Sequence, residues 1–235
     1  AEWLNAGAVQ NYKQNGRIVI FQLYNAVVRM EWLNPQIVHV RVNPDGSDFA
    51  PYFSYFVQDG IAVDEQIPVI QDSEANITVK IADFSYVIDK STFSITCLKD
   101  ETVIWENALF RWQSDTEQVN LALNLQTDEA SFGTGERAFE LNLRGRELEI
   151  WNTDPGGYAR GKDPINANVP FYIGVHDRVA YGVLWDDSSR ATFDIGASDS
   201  NQLSITGETG ELSCYFFPAI QSRIFYISIR LLPVG

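Results

Sequence analysis

The residues of this chain best suited to chemistry crowd into one loop. Two strand-like runs, RELEIWN and VPFYIGV, are separated by a polar stretch rich in Gly and Pro, and the break carries Trp151, Asn152, Asp154 and Tyr158. A plain hairpin needs only a few residues, and longer loops are usually functional or disordered. The embedded aromatics argue against disorder. Trp and Tyr offer flat apolar faces with a polar edge, while Asn and Asp offer directed hydrogen bonds. That mixture suits polyhydroxylated ligands, whose surfaces alternate C–H and O–H. Gly156 and Gly157 let the backbone turn sharply, and Pro155 and Pro164 stiffen it. The same residues also fit a structural loop with Trp151 and Tyr158 folded into the core, and the residues alone leave both readings open.

Other chemistry is harder to assemble. The two histidines are His39, inside QIVHVRV, and His176, in VHDR. An alternating strand puts His39 on one sheet face, where a hydrogen-bonded structural histidine is expected; His176 is expected in a solvated hairpin turn. No G-x-S-x-G elbow, H-E-x-x-H pair or Walker loop occurs. GTGERAF lacks the third glycine of a dinucleotide fingerprint, and no βαβ unit surrounds it. Gly133 and Gly135 instead predict a tight bend at a sheet corner, with Arg137, Arg144 and Arg146 paired to nearby acids. Paired carboxylates run glycoside hydrolysis, but 31 Asp and Glu residues single out no pair. Asp186 and Asp187 in WDDSS are expected to form a turn by bonding their own backbone. No catalytic constellation and no cofactor site emerges. Cys97 and Cys214 lie far apart in apolar runs, which predicts two buried, reduced thiols, and with the histidines they make no metal spacing.

The elements that must position the loop are strands. RIVIFQLYNAVVRMEWL, QIVHVRVN, NITVKIADFSYVID, TFSITCL, ETVIWEN and VNLALNL alternate apolar and polar residues. RELEIWN, VPFYIGV, VAYGVLWD, ATFDIGA, QLSITGE and ELSCYFF continue the pattern. Turn signals such as NPDGSD, LKDE, HDR and GETGE separate them, and no segment shows capped helical periodicity. Many short strands without helices predict a β-sandwich or barrel. PYFSYFVQDGIAVDEQIPVIQDSE is irregular and is expected to loop over the sandwich edge. A pause at LNLQTDEASFG marks a minor boundary.

With 45% hydrophobic and 13% aromatic residues, the chain can build a packed core without staples. A net charge of −14, with no Lys/Arg run to offset it, disfavours nucleic acid and anionic membrane surfaces as partners. No signal-peptide pattern opens the sequence and no apolar run approaches about 18 residues, so a cytoplasmic protein is expected.

Taken together, the G-x-G-E bend before an N-L-R-G strand, the W-N-T-D-P-G-G-Y loop and P-F-Y-I-G-V resemble the N-terminal β-sandwich of glycoside hydrolase family 31. That is the α-glucosidase and α-xylosidase family. IVHVRVNPDG and ITGETGELSCYFF fit as well, and the resemblance spans most of residues 16 to 217. It implies an all-β, antiparallel super-sandwich of the galactose mutarotase-like kind. In the family this domain packs on a (β/α)₈ barrel that supplies both catalytic Asp residues. The resemblance further implies that Asp154 hydrogen-bonds a sugar hydroxyl and that Trp151 and Tyr158 hold the loop or wall the pocket. Residues 1–217 are thus expected to form the domain, with 218–235, PAIQSRIFYISIRLLPVG from Pro218 on, as a tail that departs from the family pattern. The expected ligands are α-linked gluco- or xylo-saccharides, bound weakly if at all without a barrel, and the chain alone is expected to be inactive. The face that would meet a barrel is expected to promote a homodimer. Two alternatives remain: a free-standing carbohydrate-binding module, and a mutarotase-like epimerase, which would need an acid and base flanking the sugar.

Overall fold

The computed structural model describes residues 2–44, 46, 49–58, 63–208 and 210–218. Period-two burial dictates its architecture. In Ile18–Leu23, for example, Val19, Phe21 and Leu23 are buried while Ile20 and Gln22 face out; strands with one apolar face pair that face against another sheet. The first strands are Trp3–Asn5 (β1), Val9–Asn15 (β2), Ile18–Leu23 (β3), Val27–Asn34 (β4) and Ile37–Asn43 (β5). Val69–Asp72 (β6), Asn76–Ile81 (β7), Phe84–Asp89 (β8), Ile95–Lys99 (β9), Thr102–Gln113 (β10) and Val119–Asn124 (β11) follow. The chain then forms Ala130–Gly135 (β12), Arg146–Ile150 (β13), Asn168–His176 (β14), Val179–Trp185 (β15), Ala191–Ile195 (β16), Gln202–Gly207 (β17) and Leu212–Phe217 (β18).

These strands make two antiparallel sheets. The first runs β13-β16-β17-β11-β10-β9-β8-β7-β6, with β1 added beside β10; the second runs β12-β14-β15-β18-β5-β4-β3-β2. No helix occurs among the described residues. The core between the sheets is strongly aromatic: Trp105 stacks on Phe216 at 4.9 Å, and Trp32 meets Tyr86 edge-on at 5.4 Å. Cys97 and Cys214 are buried free thiols within it, as expected, and burial pushes both well above the usual thiol range.

Several boundaries differ from the sequence reading. The run from Arg17 to Leu33 breaks at Tyr24, whose side chain is exposed, and Leu23 N–H donates to Ala26 O across the turn. NITVKIADFSYVID folds back at Ala82 and Asp83, with Ala82 at φ 48°; a turn there has no Gly or Asn to announce it. β2 and β6 pair through backbone while exposing most of their side chains, so their alternation is faint. The pause at residues 125–129 is where the chain crosses from the first sheet to the second. The irregular segment after β5 has no strand among its described residues before β6, and positions 59–62 of it, like the tail from 219 onward, lie outside the described residues.

The outer face of the second sheet is only partly bare. β5 is buried on both sides because residues 49–57 lie over it. Phe56 and Val57 join Ile37, Phe171, Leu184, Tyr215 and Phe217 in a second apolar cluster there. Beside it, His39 bonds Ser213 Oγ at 2.9 Å and stacks on Tyr215 at 4.1 Å, the structural role expected of it. Burial first, then Arg29 and Arg41, push the His39 pKa down to about 3. An unfolded histidine titrates near pH 6.5. Between about pH 6.5 and 3 the unfolded state therefore binds the extra proton, and stability falls as pH falls, by up to ~1.4 kcal/mol per pH unit. His39→Gln should flatten that limb in denaturant titrations compared at about pH 7 and pH 4; unchanged slopes would remove His39 as its source.

Candidate functional site

Residues 151–167 connect β13 to β14, and the base of this loop is held by a buried arginine. Arg137 follows the β12 bend, where Gly133 and Gly135 both have positive φ. A Cβ on Gly135 would also sit 2.7 Å from Val169 N, so only glycine lets β12 press this closely on β14. The bend delivers the Arg137 guanidinium, 5% exposed, to Asp163 Oδ1 at 2.9 Å. The same group donates to Asn168 Oδ1, to Thr134 Oγ1 at 3.1 Å and to Glu149 O at 3.3 Å. Burial lowers the Arg137 pKa, and Asp163 opposes that shift. Asp163 Oδ2 accepts from Glu149 N–H at 2.6 Å, and Asn168 Nδ2 donates to Trp151 O and Ile165 O at 2.9 and 2.7 Å. Both ends of the loop are thereby tied to one point.

That knot presents Trp151 and Asn152 at a small cleft of about 250 Å³. Its other walls are Phe56 from the covering segment, Pro170, and Asp187, Ser188 and Ser189 from the turn after β15. Trp151 is 43% exposed, with the Arg190 guanidinium 5.1 Å over its ring; Arg190 in turn pairs with Glu149 at 3.0 Å. Asn152 Oδ1 accepts from Asn168 N–H at 2.7 Å, and its Nδ2 has no donor contact among the described residues. The cleft thus combines a flat aromatic face, a free amide donor and hydroxyl and carboxylate groups, which is the equipment for holding a neutral polyol.

The three residues singled out from sequence part company here. Trp151 lines the cleft, while Asp154 and Tyr158 sit on the exposed tip outside its lining. Asp154 Oδ1 accepts from Gly156 N–H at 3.1 Å, closing a tight turn, and Tyr158 is 46% exposed. Neither aromatic is folded into the core, so the structural-loop alternative fails for both side chains. Phe56, Ser188 and Arg190 were not anticipated; only the pairing of Ile150 with Ala191 brings Arg190 beside Trp151.

Two other expectations are corrected. His176 is not solvated: at the end of β14 it is 4% exposed, and Nε2 donates to Ile104 O at 2.9 Å. The two acids of WDDSS also diverge. Asp187 does form the turn, accepting from Ser189 N–H at 2.9 Å. Asp186 is buried and accepts from Tyr52 Oη and Ser54 Oγ, each at 2.5 Å, and burial raises its pKa against the pull of those hydroxyls. The arginines after the bend behave as expected in part: Arg146 pairs with Glu140 at 2.9 Å, but Arg144 caps the carbonyls of Gln126, Glu129 and Ser200. No group of three or more His, Cys, Asp or Glu placed to hold a metal occurs among the described residues.

A larger open groove of about 530 Å³ at one end of the sandwich includes Trp112, Glu117 and Glu211. It borders positions outside the described residues and brings none of the loop residues together.

Comparison with known proteins gives this geometry a family. Residues 27–194 match the glycosyl hydrolase 31 N-terminal galactose mutarotase-like domain. An alpha-glucosidase of Saccharolobus solfataricus is 32% identical over 83 residues, covering 35% of this chain and 12% of its own length. Alpha-glucosidase 2 of Bacillus thermoamyloliquefaciens is 21% identical over 217 residues, covering 91% of this chain and 27% of its own. Among solved structures, a Flavobacterium johnsoniae family 31 dextranase complexed with glucose superposes with a TM-score of 0.78 at 19% identity, over 91% of this chain and 26% of that one. A family 31 alpha-xylosidase from a soil metagenome, complexed with xylose, gives 0.70 at 12% identity, over 90% of this chain and 32% of that one. The chain therefore spans roughly a third or less of each of these relatives. With the family match covering well over half of its residues, the all-β antiparallel super-sandwich described above belongs to glycoside hydrolase family 31, as its N-terminal galactose mutarotase-like domain.

Proposed function

We propose that this domain lends its 151–158 loop to a pocket for α-linked gluco- or xylo-saccharides, while a separate barrel performs the hydrolysis. In this reading Trp151 walls the pocket, Asp154 accepts a hydrogen bond from a sugar hydroxyl, and Tyr158 supports the loop tip. The observation that carries it is the contrast between the loop's base and tip: Arg137, Asp163 and Asn168 fix the base, yet Asp154 and Tyr158 are left exposed. Rigid bases beneath exposed polar and aromatic tips are how scaffolds present binding groups. Relatives support the ligand class: the dextranase has been seen with glucose and isomaltotriose, and the metagenomic alpha-xylosidase with xylose.

Binding without a barrel is favoured by one feature, that the Trp151 cleft is built wholly from this chain. The exposed pair Phe53 and Tyr55, 4.8 Å apart, supplies apolar surface for self-association beside the covered face of the second sheet.

The purified chain should give no turnover of 4-nitrophenyl α-glucoside, and detectable turnover by the pure protein would sink the division of labour. Calorimetric titration with maltose, isomaltose and xylo-oligosaccharides should show weak binding that Trp151→Ala lowers by about tenfold. Silence across that panel would defeat the binding role of the isolated domain.

A further inference from the structure

The outward face of the first sheet carries a second arrangement of polar side chains. Strand register lines up Arg111 with Asn120, Asn120 with Thr206, and Thr206 with Thr192. The next rung is Ala122, Ser204 and Asp194. The middle of this face is therefore a floor of short side chains. Trp3, half-buried on β1 opposite Gln113, rises at one side, and the turn of Asp194, Ser198 and Asp199 rises at the other. Between them lies a groove of about 300 Å³, at the small end of ligand clefts.

Its hydrogen bonds are arranged to leave capacity facing out. Asn120, 3% exposed, directs the two hydrogens of Nδ2 to Ser204 Oγ at 2.8 Å, Thr206 Oγ1 at 3.0 Å and Ile205 O at 3.1 Å. Each hydroxyl that accepts keeps its own hydrogen for another partner. Arg111 gives Nε to Asn120 Oδ1 at 3.1 Å and Nη2 to Gln202 Oε1 at 3.4 Å, while its Nη1 has no partner and no carboxylate pairs with it among the described residues. One cation faced by Asp194 and Asp199, on a chain of net charge −14, does not attract an anion. Donors, acceptors and an indole face fit a neutral polyol.

We propose that this groove is a second carbohydrate site, taking one neutral hexosyl unit against Trp3, with its hydroxyls shared among Arg111, Gln202, Ser204, Thr206 and the two carboxylates. The site does not depend on the Trp151 loop. The test is calorimetric titration with maltotriose of the wild-type chain, Trp151→Ala, and Trp151→Ala combined with either Trp3→Ala or Ser204→Tyr, each first shown to melt cooperatively. Trp151→Ala should retain binding, and both combined variants should lose about tenfold or more of what remains. The tyrosine fills the groove without touching β1, so it guards against a simple loss of the short strand. The proposal is overturned if Trp151→Ala binds nothing, or if the combined variants bind as it does. Should the loop reading alone fail, Trp151→Ala would match wild type while the groove substitutions still weakened binding.

Discussion

Replacing Arg137 with leucine is expected to destabilise the domain by about 3–5 kcal/mol and to free the loop that carries Trp151. The side chain is 5% exposed and holds Asp163, Asn168, Thr134 and the Glu149 carbonyl at once. Breaking a buried pair from one side leaves the other charge without compensation, which costs far more than the pair contributes when whole. Asp163 would remain 15% exposed beside Asn168, still bonded to Glu149 N–H but without its cation. At this chain length the melting midpoint should drop by roughly 10 °C. Amide exchange should accelerate first at Asn168 and Thr153, whose N–H groups close the loop base. A midpoint near wild type with unchanged exchange there would mean that the loop is held by something other than this knot.

Gly174→Ala should be similarly severe, costing about 3 kcal/mol or more. Gly174, on β14 one strand in from the β12 edge of the second sheet, pairs with both Ser131 and Tyr181. An added Cβ would lie inside van der Waals contact with Glu129 Oε1 and with the Tyr181 ring. No unusual backbone angle is involved, so the cost is purely one of space. The space is already filled by a buried network: Glu129, 2% exposed, accepts from the Tyr172 and Tyr181 hydroxyls at 2.7 Å each and from Gln126 N–H at 3.0 Å. Displacing that carboxylate takes the acceptor from the buried Tyr181 hydroxyl and from Gln126 N–H and leaves Tyr172 only Ser131 Oγ at 2.9 Å. Urea titration reads the loss, and a midpoint matching wild type would show that the strand yields more readily than close packing allows.

The same network shows what a sequence hides. Glu129 stands in LNLQTDEASFG, which reads only as a pause between strand runs, and only the meeting of β14 and β15 above it makes it a buried acceptor. His176 misleads for the same reason: VHDR is turn chemistry, yet its buried Nε2 donates to Ile104 O on β10. Contacts between residues 72 or 43 positions apart leave no local trace. By contrast, the alternation of β3, β7, β8 and β17 was visible because burial on one face is a local, repeating constraint. Turn chemistry was half visible. Gly133 and Gly135 announced a bend, whereas Ala82 adopts its positive φ with no residue type to signal it. For the candidate site, sequence supplied the loop and its aromatics. It did not supply Arg190 over Trp151 or Ser188 across the cleft, which depend on strand register.

Contact between the Trp151 loop and sugar can be read from the indole N–H resonance of Trp151, assigned with Trp151→Phe, through a titration with isomaltotriose. That resonance should shift saturably, and less in Asp154→Ala, while the buried indoles of Trp32, Trp105 and Trp185 stay unmoved. A Trp151 resonance that never moves while isomaltotriose demonstrably binds elsewhere on the chain would contradict that contact.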